Sequence, residues 1–165
     1  MAKNAKPSFS YLTHIAATPD SVWRALTDGV LTRQYWYGRR AESDWKVGSP
    51  VTFWYESADG EAVSDRGIVL EIVRPRRLSY TWQVQFIESM RDESPSRVTF
   101  EIEAEGEDAK LTVTHDELEA GGEVVQAVRN GWPAILCSLK SLLETGEPLA
   151  LTNPAPVAKA KDAAA

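Results

Sequence analysis

Between Gly122 and Gly146, Val125, Val128, Trp132, Leu136, Leu139 and Leu143 recur at steps of three and four. That spacing holds them on one face and predicts an amphipathic helix of about six turns. Gly146 suits its C-terminal cap, and Pro148 lies just beyond. Upstream the period changes to two. Val98, Phe100 and Ile102 alternate with Thr99, Glu101 and Glu103, and Leu111, Val113 and His115 alternate with Thr112, Thr114 and Asp116. Each run predicts a strand with one face buried and one in water.

The remaining elements follow from the same two periods. Residues 8–16 alternate and predict a first strand. Thr18-Pro19-Asp20 opens a helix: Thr18 caps, Pro19 fits the first turn, and Asp20 complements the positive end of the dipole. Val22, Trp23 and Leu26 form its apolar face, and Asp28-Gly29 stops it. Residues 30–36 predict a second short helix with Leu31, Tyr35 and Trp36 turned inward. Strands are then expected at 39–45, 51–56, 66–73, 78–86, 97–104 and 110–115, with a hairpin turn at Ala58-Asp59-Gly60 and a polar loop at 88–96. Residues 1–7 and 147–165 read as disordered tails around a single domain at 8–146, the latter tail being rich in Ala, Pro and Lys.

This order predicts an α+β fold. A curved antiparallel sheet of six to seven strands and two short helices would pack against one long C-terminal helix, whose apolar stripe must lie across the sheet. A curved sheet gripping a helix leaves room for a cavity. Pro133 falls inside the helical pattern and cannot donate to the Arg129 carbonyl, so the helix should bend there or two segments should meet at Asn130-Gly131.

Composition narrows the function classes. The chain has 165 residues and a formal charge of -6, with no basic footprint for nucleic acid. No apolar run reaches the roughly 20 residues that span a bilayer. The N-terminus has no apolar signal segment. Cys137 is the single cysteine, which excludes an internal disulfide and fits a cytoplasmic setting. There is no Gly-x-Ser-x-Gly elbow, phosphate-binding glycine loop or dinucleotide fingerprint. His14, His115 and Cys137 lack zinc-ligand spacing, so neither metal nor cofactor is expected.

Four segments, in order, are informative together: Trp23-Arg24-Ala25-Leu26-Thr27-Asp28 after Thr18-Pro19-Asp20-Ser21-Val22; Gly67-Ile68-Val69-Leu70-Glu71-Ile72 leading to Pro75-Arg76-Arg77-Leu78-Ser79-Tyr80-Thr81-Trp82; Leu111-Thr112-Val113-Thr114-His115; and Asn130-Gly131-Trp132-Pro133. Over residues 8–146 the chain resembles the family named for homologues of the activator of the heat-shock-protein-90 ATPase, within the START and birch-pollen-allergen superfamily. The resemblance implies the helix-grip fold, with a cavity between sheet and helix. It implies function weakly, because members include ligand binders, enzymes and proteins of unknown role.

The aromatic residues supply the candidate site. Tyr35, Trp36, Phe53, Tyr55, Tyr80, Trp82, Phe86, Phe100 and Trp132, with Val113, Leu136 and His115, are expected to line a cavity for a small lipophilic or aromatic ligand. For any one ring the plainer alternative is core packing. His115 could orient a ligand or act as a base, or it could be structural. No catalytic residue is assigned. The alternatives are a cyclase- or hydrolase-type enzyme using His115, and a co-chaperone or protein-interaction module. A monomer or homodimer is expected, with Trp54 on the outer sheet face as the hint of a dimer contact.

Overall fold

The computed structural model describes residues 5–153. The elements run β1 (Phe9–Ile15), α1 (Pro19–Thr27), α2 (Gly29–Tyr35), β2 (Arg40–Ser43), β3 (Pro50–Ser57), β4 (Gly60–Val73), β5 (Arg77–Val84), α3 (Glu88–Arg91), β6 (Ser96–Glu105), β7 (Asp108–Asp116) and α4 (Glu123–Thr145). The strands form one seven-stranded sheet in the order β1-β7-β6-β5-β4-β3-β2. Every neighbouring pair is antiparallel. This is the expected α+β helix-grip arrangement.

Local chemistry sets the element ends. The Thr18 hydroxyl accepts from the Ser21 amide at 3.2 Å and caps α1. The Asp28 carboxylate accepts from the Val30 amide at 2.9 Å and caps α2. Gly146, at φ 86°, ends α4 in the left-handed conformation that glycine adopts without a Cβ clash. The sheet's inner face is built by alternation. Val51 and Phe53 of β3, Leu78, Tyr80 and Trp82 of β5, Val98, Phe100 and Ile102 of β6, and Leu111, Val113 and His115 of β7 are all buried. Against them lie Val128, Trp132, Leu136 and Leu139 of α4, also buried.

Several sequence-based expectations shift. The α4 stripe is rotated slightly, so that Val124 and Leu142 are deep while Val125 and Leu143 flank the core. The helix runs unbroken through Pro133, so no two segments meet at Asn130-Gly131. Its neighbours Trp132, Ile135 and Leu136 are buried, and their packing outweighs the one backbone bond that proline removes. β4 begins at Gly60 rather than residue 66, because Glu61, Ala62 and Val63 pair with Glu56, Tyr55 and Trp54 across the hairpin. Those residues carry little strand propensity, and the ladder imposes the conformation. β5 ends at Val84, where the amides of Gln85 and Phe86 turn to the Ser64 carbonyl. The expected strand at 39–45 shortens to Arg40–Ser43. The expected loop at 88–96 contains the one-turn helix α3.

Within the segment expected as a C-terminal tail, residues 147–153 pack back onto the domain. The Leu149 amide donates to Ser138 Oγ at 2.9 Å, and the Tyr37 amide donates to the Thr152 carbonyl at 3.0 Å. Residues 154–165, and residues 1–4 of the expected N-terminal tail, lie outside the described residues. No described helix is long and apolar enough to cross a membrane. Trp54 lies on the outer sheet face, half-buried beneath the Arg40 guanidinium at 5.8 Å.

Gly67 lies where β4 and β5 leave no room for a side chain. A Cβ there would stand 1.8 Å from the Thr81 carbonyl oxygen of β5. Gly67→Ala must therefore push β4 and β5 apart, at an expected cost of about 1–3 kcal/mol. Urea denaturation of variant and parent measures the difference.

Candidate functional site

A cavity of about 480 Å³ lies between the sheet and the N-terminal half of α4. Trp82 and Val84 of β5 and Tyr55 of β3 form the sheet wall. Val124, Ala127, Val128, Gly131, Trp132 and Ile135 form the helix wall. Trp36, Tyr37 and Arg39, from the turn after α2, close one end, and Phe86, Ile87 and Met90 close another.

Six of the twelve residues expected at a ligand site line this space: Trp36, Tyr55, Trp82, Phe86, His115 and Trp132. The other six, Tyr35, Phe53, Tyr80, Phe100, Val113 and Leu136, are fully buried in the core outside the lining. They support the wall from behind. Trp36 is stacked on Trp82 at 5.9 Å with an interplanar angle of 6°, and touches Phe53 at 5.0 Å and Trp132 at 5.2 Å. Such ring contacts hold the wall rigid. The Tyr35 hydroxyl donates to the Ala25 carbonyl at 2.6 Å, and burial pushes its pKa up. Burial also raises the Tyr80 phenol, and its hydroxyl has no partner among the described residues.

His115 is held at both ring nitrogens. Trp132 Nε1–H donates to its Nδ1 at 3.0 Å. Nε2 therefore carries the proton and donates to Ser96 Oγ at 2.7 Å. Ser96 in turn donates to the Trp82 carbonyl at 3.3 Å. Burial lowers the His115 pKa to about 3, with only partial opposition from the Asp116 charge. A neutral imidazole with both nitrogens engaged has no free lone pair for base chemistry at neutral pH. Its role is to join α4 to β5, β6 and β7.

Sequence reasoning did not find the polar corner. Arg39 Nε donates to Asp65 Oδ2 at 2.9 Å and to Ser64 Oγ at 3.2 Å. The Asp65 side chain is only 1% exposed, and burial pushes its carboxyl up against the lowering effect of Arg39. The Arg39 guanidinium also lies over the Phe86 ring at 5.1 Å. The missing signal was the β4 extension: only with strand pairing carried back to Gly60 do Ser64 and Asp65 reach the cavity wall. The small helix residues Ala127 and Gly131 also lie outside the expected site, although Gly131 belongs to the segment Asn130-Gly131-Trp132-Pro133.

Glu93 anchors the segment that carries Ile87 and Met90. Its Oε2 accepts from the Glu123 amide at 3.0 Å and the Val124 amide at 3.3 Å, so it caps α4 where Gly122 offers no side chain.

A sheet packed on a long C-terminal helix, with a cavity between them, places the chain among helix-grip, START-like proteins. Solved structures bear this out. An HSP90 activator from Plasmodium falciparum is 25% identical, with a TM-score of 0.67 over 82% of this chain and 95% of that one. CalU16 from Micromonospora echinospora is 20% identical, with a TM-score of 0.64 over 84% and 77%. The Aha1 dimer from Colwellia psychrerythraea is 18% identical, with a TM-score of 0.66 over 85% and 98%. No curated protein matches the sequence. The family described as activator of Hsp90 ATPase homolog 1-like protein matches residues 16–144, and the chain belongs to it.

The buried His115 makes a pH prediction. Its folded pKa lies below its unfolded value of about 6.5, so the unfolded chain takes the proton first. Stability is therefore lost as pH falls from about 6.5 toward about 3. Glutamine can replace both hydrogen bonds without titrating. Between pH 7 and pH 5 the parent should lose about 2 kcal/mol more than His115→Gln, measured by urea denaturation at the two pH values.

Proposed function

We propose that this protein binds a small hydrophobic or aromatic molecule in the cavity between sheet and α4. The observation that carries the reading is the cavity of about 480 Å³ left inside a wall of stacked rings. That volume lies within the usual range for small-molecule sites, which are mostly apolar with a few polar groups. Trp36, Tyr55, Trp82, Phe86 and Trp132 would contact the ligand by stacking and burial. His115 would hold Trp132 in place. The remaining expected residues would keep the wall from collapsing.

The 25% identity to the Plasmodium HSP90 activator supports a second reading, stimulation of an HSP90 ATPase by a protein-protein contact. The cavity favours the first, because a pure interaction module has no need of apolar rings arranged around an unfilled pocket of ligand size.

Phenylnaphthylamine, a neutral fluorescent probe, tests the first reading. It should bind saturably at one site. Gly131 lines the cavity, and a Cβ there meets only Ile135 Cδ1, at 3.8 Å. Gly131→Phe should therefore fold, place its ring in the void and weaken the probe roughly tenfold or more, equivalent to about 1.4 kcal/mol. Absence of saturable binding to the parent would overturn the reading. Stimulation of an HSP90 ATPase by a chain that takes up no probe would establish the second.

A further inference from the structure

The cavity is apolar along most of its wall but carries one polar corner. Arg39 and Asp65 are the charged residues among its described lining. The guanidinium has five N–H donors in a planar fork. Asp65 and Ser64 share the Nε edge. No hydrogen bond among the described residues uses either terminal nitrogen, which leaves four N–H donors without a partner among those residues. Phe86 covers the guanidinium at 5.1 Å, and the ion pair with Asp65 fixes its plane. Tyr37 and Tyr55 line the same cavity, and neither hydroxyl takes part in a hydrogen bond among the described residues. The tyrosine hydroxyls and the Asn130 amide of the lining both donate and accept, whereas the unspent groups of Arg39 can only donate.

We infer that the ligand is an aromatic or alicyclic acid, whose carboxylate pairs with the two terminal nitrogens of Arg39 while its apolar body fills the space beside Trp82 and Trp132. A carboxylate takes two parallel N–H bonds from a guanidinium, a match that neither a hydrocarbon nor a neutral amide reproduces. Asp65 lies behind Arg39, almost fully buried. It serves as the positioning residue that aims the fork, while the Ser64 hydroxyl donates its own hydrogen bond to the Phe53 carbonyl at 3.2 Å. The inference rests on the cavity being a binding site, and it adds the chemical class of the occupant.

The test is competition against bound phenylnaphthylamine by naphthoate and by naphthamide, which differ in charge and little in shape. In the parent, naphthoate should displace the probe at a concentration roughly tenfold below that of naphthamide. Arg39→Met alone would strand a buried carboxylate, so the informative variant is Arg39→Met with Asp65→Asn, which removes both charges together. There the ratio of the two affinities should fall to near one. A ratio near one in the parent, no displacement by naphthoate, or a tenfold ratio that persists in the double variant would each overturn the assignment of Arg39. In all three outcomes the probe still binds, so the cavity reading survives. Absence of probe binding to the parent would overturn both.

Discussion

The buried indole N–H of Trp132 is the interaction on which the rest of this structure depends. An indole nitrogen can only donate, and leaving it unpaired in the core costs about 1–3 kcal/mol. Its acceptor is His115 Nδ1. That bond forces the proton onto Nε2, which then needs an acceptor of its own, and Ser96 supplies it before handing the chain to the Trp82 carbonyl. One donor on α4 thereby sets the tautomer of a residue on β7 and the rotamer of a residue on β6. The same bonds remove the imidazole from acid-base chemistry, so the most conspicuous polar residue of the sequence is a structural joint.

A rigid wall does not by itself make a cavity. The sheet presents large rings, and their edges and faces interlock around Trp36. The N-terminal half of α4 presents Ala127 and Gly131 toward the same space. Those small residues do not reach the rings, and α4 cannot move closer, because Trp132 and Leu136 already rest on the sheet. The void is therefore the difference between large residues that set the spacing and small ones that fail to fill it. Leu136 and Leu139 are fully buried further along the helix, where long side chains close the gap.

Much of this was legible in the sequence. The strict alternation of β6 and β7 and the three-four spacing of α4 record burial on one face only, so they predicted both type and orientation. Phe53 and Tyr55, two residues apart, share one side of a strand, and Tyr80 and Trp82 share one side of another, so parity alone groups them as rings of one face. Parity could not say which rings border the void and which lie behind it, because that depends on where α4 is thin. The polar corner was hidden for a different reason. Gly60-Glu61-Ala62 resembles a loop by propensity, and only pairing with β3 turns it into strand. Asp65 enters the wall through that long-range ladder, together with a register shift beside Phe53 that no local pattern encodes.

The Arg39–Asp65 pair is hard to account for as a stabilising device. Replacing a buried ion pair with well-packed apolar residues of similar volume is often neutral or favourable, because desolvating two charges offsets most of their attraction. Asp65 bears a net cost, because burial raises its carboxyl pKa by more than Arg39 and Ser64 lower it. The return within the fold is small: one guanidinium edge is paired, and the other finds no partner among the described residues. An arginine needed only to neutralise Asp65 would be best satisfied with its whole fork on protein acceptors. An arginine held flat by Phe86 and Asp65, with its terminal nitrogens unspent at the wall of a mostly apolar space, is arranged for something that enters that space.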